Sequence, residues 1–133
     1  MTSFTTRRKL GLCAVALAAT LGLGLSTSAF AQAWPNKPVR MIVPFPAGAA
    51  PDVIARLVAD KLGTAWGQSV IVDNRPGAGG IPGMSALVRS ANDGYTIGFI
   101  PAAVLTLTPE LYKNPQFNPD TDIVPVAAVG TSP

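Results

Sequence analysis

Short apolar segments rich in β-branched residues alternate along this chain with segments of helical periodicity, and this alternation is the feature that most restricts its fold. From Asp52 to about Leu62 the apolar residues recur at helical spacing, which predicts an amphipathic helix ending near Gly63 or Gly67. Three buried strands and a second, shorter helix are also predicted. The strands cover 39–45, 69–73 and 95–100, and the short helix covers 83–89. Strands joined through helices in this order predict a doubly wound, mostly parallel α/β sheet.

The last part of the chain is less regular. A short helical turn is predicted around 109–112, and a turn or helix start at 118–120. The apolar run 123–129 predicts a fourth strand, in which Pro125 favours an edge position because proline cannot donate a hydrogen bond to a sheet. The chain stops at Pro133, where a further crossover is expected. We therefore expect a fragment or a truncated gene product.

The first 33 residues have the composition of a secretory signal peptide. A basic cluster at 7–9 precedes an uncharged apolar run over 10–25, and small-residue cleavage sites follow. We predict cleavage after Ala33, with Ala31 as the alternative. The apolar run has about 16 residues, short of the roughly 20 that span a bilayer core, which disfavours a membrane anchor. The paired arginines leave general secretion and twin-arginine export both open.

The expected domains are thus a signal peptide over 1–33 and a mature domain over 34–133. The whole chain has a net charge of +3, but the signal peptide holds three of its ten basic residues. Seven basic and seven acidic residues remain in the mature part, which is therefore neutral. A neutral domain gives no support to binding of nucleic acid or anionic membranes.

Composition also restricts the chemistry that the mature domain can perform. The chain has no histidine, and its one cysteine, Cys13, lies in the signal peptide. Zinc sites and Ser-His-Asp or Cys-His catalysis are therefore excluded. The glycine-rich segment 77–83 fails as a dinucleotide fingerprint because Pro82 occupies the third glycine position. We expect no cofactor and no enzyme activity; an exported hydrolase or transferase using Asp52 as a base is the less favoured alternative.

A turn of small residues follows the first strand, where open α/β sheets bind their ligands. Ligands lie outside the carboxyl ends of strands, and free N–H groups at a helix start favour anions. Small side chains over 47–50 would let a carboxylate reach the backbone. The alternative is an ordinary loop in which Asp52 complements the helix dipole.

Polar residues stand at other predicted strand ends. Asn74 and Arg75 follow the second strand and could contact a carboxylate, or Arg75 could simply fix the loop. Thr131 and Ser132 follow the predicted fourth strand, and the segment 101–103 follows the third. All could face one crevice, although plain loop roles are equally compatible with the sequence.

Several motifs occur in a fixed order through the mature chain. They are the segments 34–40, 42–48, 52–56, 67–70, 74–80, 93–96, 118–119 with Asp122, 125–126 and 131–133. Taken together, this ordered set strongly resembles the Bug family, the extracytoplasmic solute receptors of tripartite tricarboxylate transporters. The resemblance covers essentially all of the mature chain.

The resemblance implies a periplasmic-binding-protein-like fold of type II, with two α/β lobes that close on a solute. This chain would hold the N-terminal lobe only, with the second lobe absent. The implied ligand is a small carboxylate (a di- or tricarboxylate, an amino acid or an aromatic acid) held mainly by backbone groups and waters near the first-strand loop. The implied ligand-binding residues are Phe45, Ala47, Gly48, Ala49 and Asp52, with Asn74, Arg75, Thr131 and Ser132 as further positions.

The implied location is the periplasm of a Gram-negative bacterium. The implied partners are membrane subunits of a transporter, or in some members a sensor, and no nucleic acid. The chain departs from the family where Ala49, Ala50 and Pro51 replace glycine or hydroxyl residues, and where Ala102 and Ala103 replace Ser or Thr. These departures leave the solute open. A truncated remnant without function is the alternative to a working receptor.

Overall fold

Three parallel strands form the sheet in the computed structural model, which describes residues 33–131. The strands are β1 (Val39–Val43), β2 (Val70–Asn74) and β3 (Thr96–Gly98), arranged in the order β2-β1-β3. Met41 at the centre of β1 pairs with Val72 on one side and Ile97 on the other. The predicted signal peptide covers residues 1–33, and all of it except Ala33 lies outside the described region. Ser132 also lies outside the described region.

Helix α1 (Ala50–Trp66) covers one face of the sheet. Pro51 lies in its first turn, where proline is tolerated, and Gly67 ends the helix in the left-handed conformation with φ of 66°. Its residues Ala55 and Ala59 are buried against Met41 and Val43 of β1. The helix begins two residues before the predicted start at Asp52, and it ends at Gly67, one of the two predicted ends, which provides the left-handed cap.

The opposite face carries a 3-10 turn (Ala78–Gly80) and the short helices α2 (Ile81–Val88), α3 (Ala102–Thr106) and α4 (Thr108–Leu111). Met84, Val104 and Phe117 form the buried core on this side. Helices on both faces of a parallel sheet confirm the predicted doubly wound α/β fold. No helix within residues 33–131 is both long and apolar enough to cross a membrane.

The glycines of the segment 77–83 allow close packing beneath β1. A Cβ atom on Gly83 would lie 2.8 Å from Cβ of Pro44, and one on Gly80 would lie 2.8 Å from Cγ1 of Val104. Both distances are shorter than real side chains tolerate. These two glycines are therefore explained by contacts of α2 and α3 with the end of β1.

The predicted fourth strand over 123–129 is wrong. This segment forms no strand, and Val124, Val126 and Val129 are 86%, 93% and 56% exposed. A strand needs a hydrogen-bonded neighbour, and the part of the chain that the structure describes gives this segment none. Pro125 further removes one backbone donor. The predicted turn at 118–120 is confirmed, since the side chain of Asn118 accepts from the Asp120 amide.

Aromatic residues hold the segment 34–37 against the amino-terminal end of the sheet. The rings of Trp34 and Trp66 meet edge to face with centroids 5.1 Å apart, and Tyr95 lies 6.0 Å from Trp34. The ammonium group of Lys37 lies 4.1 Å from the Tyr95 ring centroid and pairs with Asp93 at 3.2 Å. These three aromatic residues therefore pack against one another.

Candidate functional site

The carboxyl ends of β1 and β2 lie at the same edge of the sheet because the strands are parallel. Residues 44–49, the β1–α1 loop, connect β1 to helix α1 across this edge and carry no charged side chain. Ala49 is extended at the start of the helix and supplies no side-chain cap. The first amides of α1 are therefore not covered by the hydroxyl or carboxylate that usually satisfies them at this position.

Asp52, in the first turn of α1, binds back to the β1–α1 loop. Its side chain is 2% exposed. Its Oδ2 atom accepts a hydrogen bond from the Gly48 amide at 2.8 Å and one from Nε of Arg56 at 3.0 Å. Its Oδ1 atom accepts from Nδ2 of Asn74 at 2.9 Å. We refer to Asp52, Arg56 and Asn74 as the Asp52 cluster.

Asn74, the last residue of β2, connects this cluster to the other end of the loop. Its Nδ2 group also donates to the carbonyl of Phe45 at 3.0 Å, and its Oδ1 atom accepts from Nη2 of Arg56 at 3.0 Å. Among the described residues, no buried side-chain nitrogen or oxygen lacks a hydrogen-bond partner. The cluster is therefore a closed network that contacts the loop at both Phe45 and Gly48.

The hydrogen bond from Arg56 lowers the pKa of Asp52 to about 2, with further lowering by the Gly48 amide and Asn74 and some opposition from burial. Asp52 is thus ionised at neutral pH, and the Arg56 guanidinium neutralises it. A carboxylate with so low a pKa is a poor proton acceptor. This disfavours the alternative in which Asp52 acts as a catalytic base.

Arg75 lies on the other face of the sheet from the Asp52 cluster. Successive residues of a strand point to opposite faces, so Asn74 points toward α1 while Asp73 and Arg75 point away from it. Asp73 accepts hydrogen bonds from Arg40 and, at 3.2 Å, from Nε of Arg75. The structure therefore brings Asn74 to the β1–α1 loop and separates Arg75 from it.

The other predicted site residues lie in different settings. Ala47 is exposed in the loop, whereas the amide of Ala49 donates to the carbonyl of Pro46 at 3.2 Å. Thr131 is exposed in a segment without regular secondary structure, and Ser132 lies outside the described residues. Thus Phe45, Ala47, Gly48, Ala49, Asp52 and Asn74 gather at one edge of the sheet.

The sequence interpretation missed Arg56 as a member of this site. Its spacing of four residues from Asp52 on one helix was the available signal, because such residues are neighbours on a helix surface. The contact between Asp52 and Asn74 joins residues that are 22 positions apart. No three potential metal-ligating residues converge anywhere in the described part of the chain.

Solved structures share this arrangement of sheet and helices. A structure described as a periplasmic transporter matches with a TM-score of 0.63 and 38% identity, over 65% of this chain and 29% of that one. The periplasmic binding protein BugD matches with a TM-score of 0.60 and 39% identity, over 65% of this chain and 28% of BugD. The fold therefore defines the class to which this chain belongs: it is an α/β unit of a periplasmic-binding-protein fold.

The sequence comparisons narrow that class to a family. The model of the tripartite tricarboxylate transporter family receptor matches residues 54–133. Protein BugT of Bordetella pertussis is 43% identical over 116 residues, which are 83% of this chain and 34% of BugT. The chain therefore belongs to the tripartite tricarboxylate transporter receptor family, as the resemblance to Bug proteins predicted.

Two consequences follow from membership. The family consists of solute-binding receptors and is not a family of enzymes, in agreement with the expectation that the chain comes from a binding protein. The chain spans about a third of the length of the curated relatives it matches. It covers 36% of the length of a relative from Bordetella bronchiseptica and 34% of the length of BugT.

Proposed function

We propose that this chain is a periplasmic receptor component that binds a small carboxylated solute at the carboxyl edge of its sheet, for delivery to a tripartite tricarboxylate transporter. Membership of the receptor family supports the general role. One observation supports the site and the ligand class: an uncharged loop of small residues leads into an uncapped helix start at this edge.

The ligand's negative charge follows from the electrostatics of the helix start. Helix α1 has 17 residues, and its aligned peptide dipoles place a partial positive charge at Ala50. The amides of Gly48 and Ala49 are engaged internally, whereas those of Ala47 and Ala50 are not part of the loop's hydrogen bonds. We expect Ala47 and Ala50 to offer the backbone donors for a carboxylate.

The charges of nearby side chains agree with this assignment. Asp52 would repel an anionic solute if it were bare, but it is buried and paired with Arg56. The edge therefore presents backbone dipoles and small apolar side chains without a net negative charge. Phe45, within the loop, is half-buried, and we expect the exposed part of its ring to offer apolar surface to the carbon skeleton of the solute.

The proposal includes export and partners. The signal peptide over 1–33 would direct the chain to the periplasm, the compartment named for the solved relatives. There the loaded receptor would meet membrane subunits of the transporter, or a sensor. The exposed residues of the β1–α1 loop, rather than Arg75 on the opposite face, would meet the solute.

A nuclear magnetic resonance titration of the full chain, exported and purified from the periplasm, tests the ligand class. Citrate, succinate, aspartate and benzoate are added separately to the isotopically labelled protein, and the methyl ester of each acid serves as its matched control. We expect at least one acid to shift the amide signals of Ala47 and Ala50, while its ester does not. Shifts confined to other regions, equal shifts from acid and ester, or no shift with any acid would contradict the proposal.

A further inference from the structure

We propose that the Asp52 cluster is a positioning device, which holds the β1–α1 loop in its binding conformation, and that Asp52 itself does not touch the solute. This inference rests on the proposed function, because it concerns the same edge of the sheet. It assigns Asp52, Arg56 and Asn74 a common role, although only Asp52 and Asn74 were expected at the site and both were expected as ligand contacts.

The first argument is that the Asp52 carboxylate is buried and already accepts hydrogen bonds at both of its oxygens. Its two carboxylate oxygens receive three hydrogen bonds, from the Gly48 amide, Arg56 and Asn74, at 2.8 to 3.0 Å. Its side chain is only 2% exposed. A solute could reach it only by breaking this network, and unpaired buried charge is costly.

The second argument is that the cluster contacts the loop at two separated points. Asn74 donates to the carbonyl of Phe45 near the start of the loop, and Asp52 accepts from the amide of Gly48 near its end. Between these points lie Pro46 and Ala47, which are exposed. Fixing both sides of this short segment fixes the direction of the Ala47 amide.

The third argument is that the hydrogen bond from the Gly48 amide to Asp52 stabilises a left-handed backbone conformation at Gly48. Gly48 has φ of +83°, within the left-handed region, and an added Cβ atom would meet nothing within 4 Å. Space therefore does not dictate this conformation. The hydrogen bond from its amide to Asp52 is the observed contact that selects it, and the same bond uses the Gly48 amide that would otherwise be free to bind an anion.

The test compares Asp52→Asn with Asp60→Asn in the full chain purified from the periplasm. Asp60 lies two turns further along α1, is exposed, and its side chain makes no hydrogen bond or ion pair. Both variants remove one negative charge from the same helix. Amide hydrogen exchange is measured at Gly48 and at Met41 and Val43 of β1, and carboxylate titrations are run in parallel.

We expect exchange at Gly48, which occurs by local opening of the loop, to become about tenfold faster in Asp52→Asn, the factor for losing roughly one charge-assisted hydrogen bond. Exchange at β1, which occurs by global unfolding, should rise only as far as the measured loss of unfolding free energy requires. Binding of the acid identified in the wild-type titration should weaken by a similar factor, about tenfold. The Asp60→Asn variant should match the wild type in both measurements. A merely structural role of Asp52 would instead speed exchange at β1 and leave the local opening at Gly48 at the wild-type rate, and this outcome would overturn the proposal.

Direct contact of Asp52 with the solute would also overturn it: binding would then change in Asp52→Asn while Gly48 exchange stayed at the wild-type rate. A wild-type chain that binds no acid would refute the proposed function, but the exchange comparison would still decide whether Asp52 holds the loop. Should Asp52→Asn fail to fold, Asn74→Ala tests the other contact of the Asp52 cluster with the loop, since it removes the hydrogen bond to the Phe45 carbonyl and leaves the bond between Gly48 and Asp52. We expect acid binding to weaken while Gly48 exchange stays at the wild-type rate, and acid binding at wild-type strength in Asn74→Ala would overturn the proposal.

Discussion

At the residue scale, Asp52 combines two effects that are often treated separately at a helix start. Its negative charge lies in the first turn of α1, where the helix dipole favours an anion, and its side chain also accepts the Gly48 amide just before the helix. The sequence alone predicted the dipole effect as one of two interpretations. It could not indicate the contact with Asn74, because nothing local relates residues at the ends of different elements.

Asp52 should make the stability of the fold depend on acid pH. Its folded pKa of about 2 is below its ordinary value of 3.8, so the unfolded chain binds a proton first as the pH falls. The stabilisation is therefore fully present above about pH 4 and is lost as the pH falls through about 2. Urea unfolding between pH 2 and pH 6 measures it as the difference between wild type and Asp52→Asn. A difference that did not shrink toward low pH would contradict the assignment, and Asp60→Asn serves as the control.

Gly48→Ala should destabilise the fold through backbone strain alone. Gly48 has a positive φ and open space around its Cβ position, so the expected cost is about 1–2 kcal/mol, typical of a non-glycine residue in the left-handed region. Gly130→Ala is the matched control, since it too has open space and lacks the positive φ. Equal unfolding free energies for the two variants in urea would show that the loop relaxes without strain.

At the element scale, hydrophobic periodicity was sufficient to predict three strands and two principal helices. It failed for the segment 123–129, because forming a strand there depends on a neighbouring strand to pair with. The runs at β1 and β2 are flanked by turn signals and pair with one another, whereas the equally apolar run over 123–129 finds no strand to pair with in the described structure. Apolar β-branched sequence is compatible with a strand, but backbone hydrogen bonds to a neighbour are what form one.

The packing of α2 against the end of β1 gives the next prediction. Gly83→Ala should destabilise the fold by about 1–3 kcal/mol, because its new Cβ would lie 2.8 Å from Cβ of Pro44 in a packed core. Gly63→Ala makes the same change inside helix α1, where the nearest atom would be 3.4 Å away. It should be neutral or stabilise the helix by up to about 1 kcal/mol. Urea unfolding of both variants checks this, and a Gly83→Ala variant as stable as Gly63→Ala would contradict the close approach.

At the scale of the whole molecule, the two ends of the sheet hold different segments of the chain in place. The amino-terminal end holds the segment that begins at Trp34 through contacts of its ring with Trp66 and Tyr95, and the carboxyl-terminal end holds the β1–α1 loop through the Asp52 cluster. Composition and motif order were sufficient to predict the family, and they also indicated the edge at which we propose that the solute binds. They could not separate Asn74 from Arg75, because only strand geometry determines that adjacent residues face opposite sides.

Export supplies the prediction that concerns the chain as a whole. The protein recovered from the periplasm should begin at Trp34, because cleavage after Ala33 satisfies the preference for small residues and removes the basic cluster at 7–9. Intact-mass measurement and amino-terminal sequencing check this, together with a fall in net charge from +3 to neutral. Ala33→Leu is the informative variant: a bulky residue at the cleavage position should move the new terminus to Gln32, after Ala31. A chain that stays full-length in the membrane fraction would show that the first 33 residues act as an anchor, and that the solute site is presented from the membrane surface.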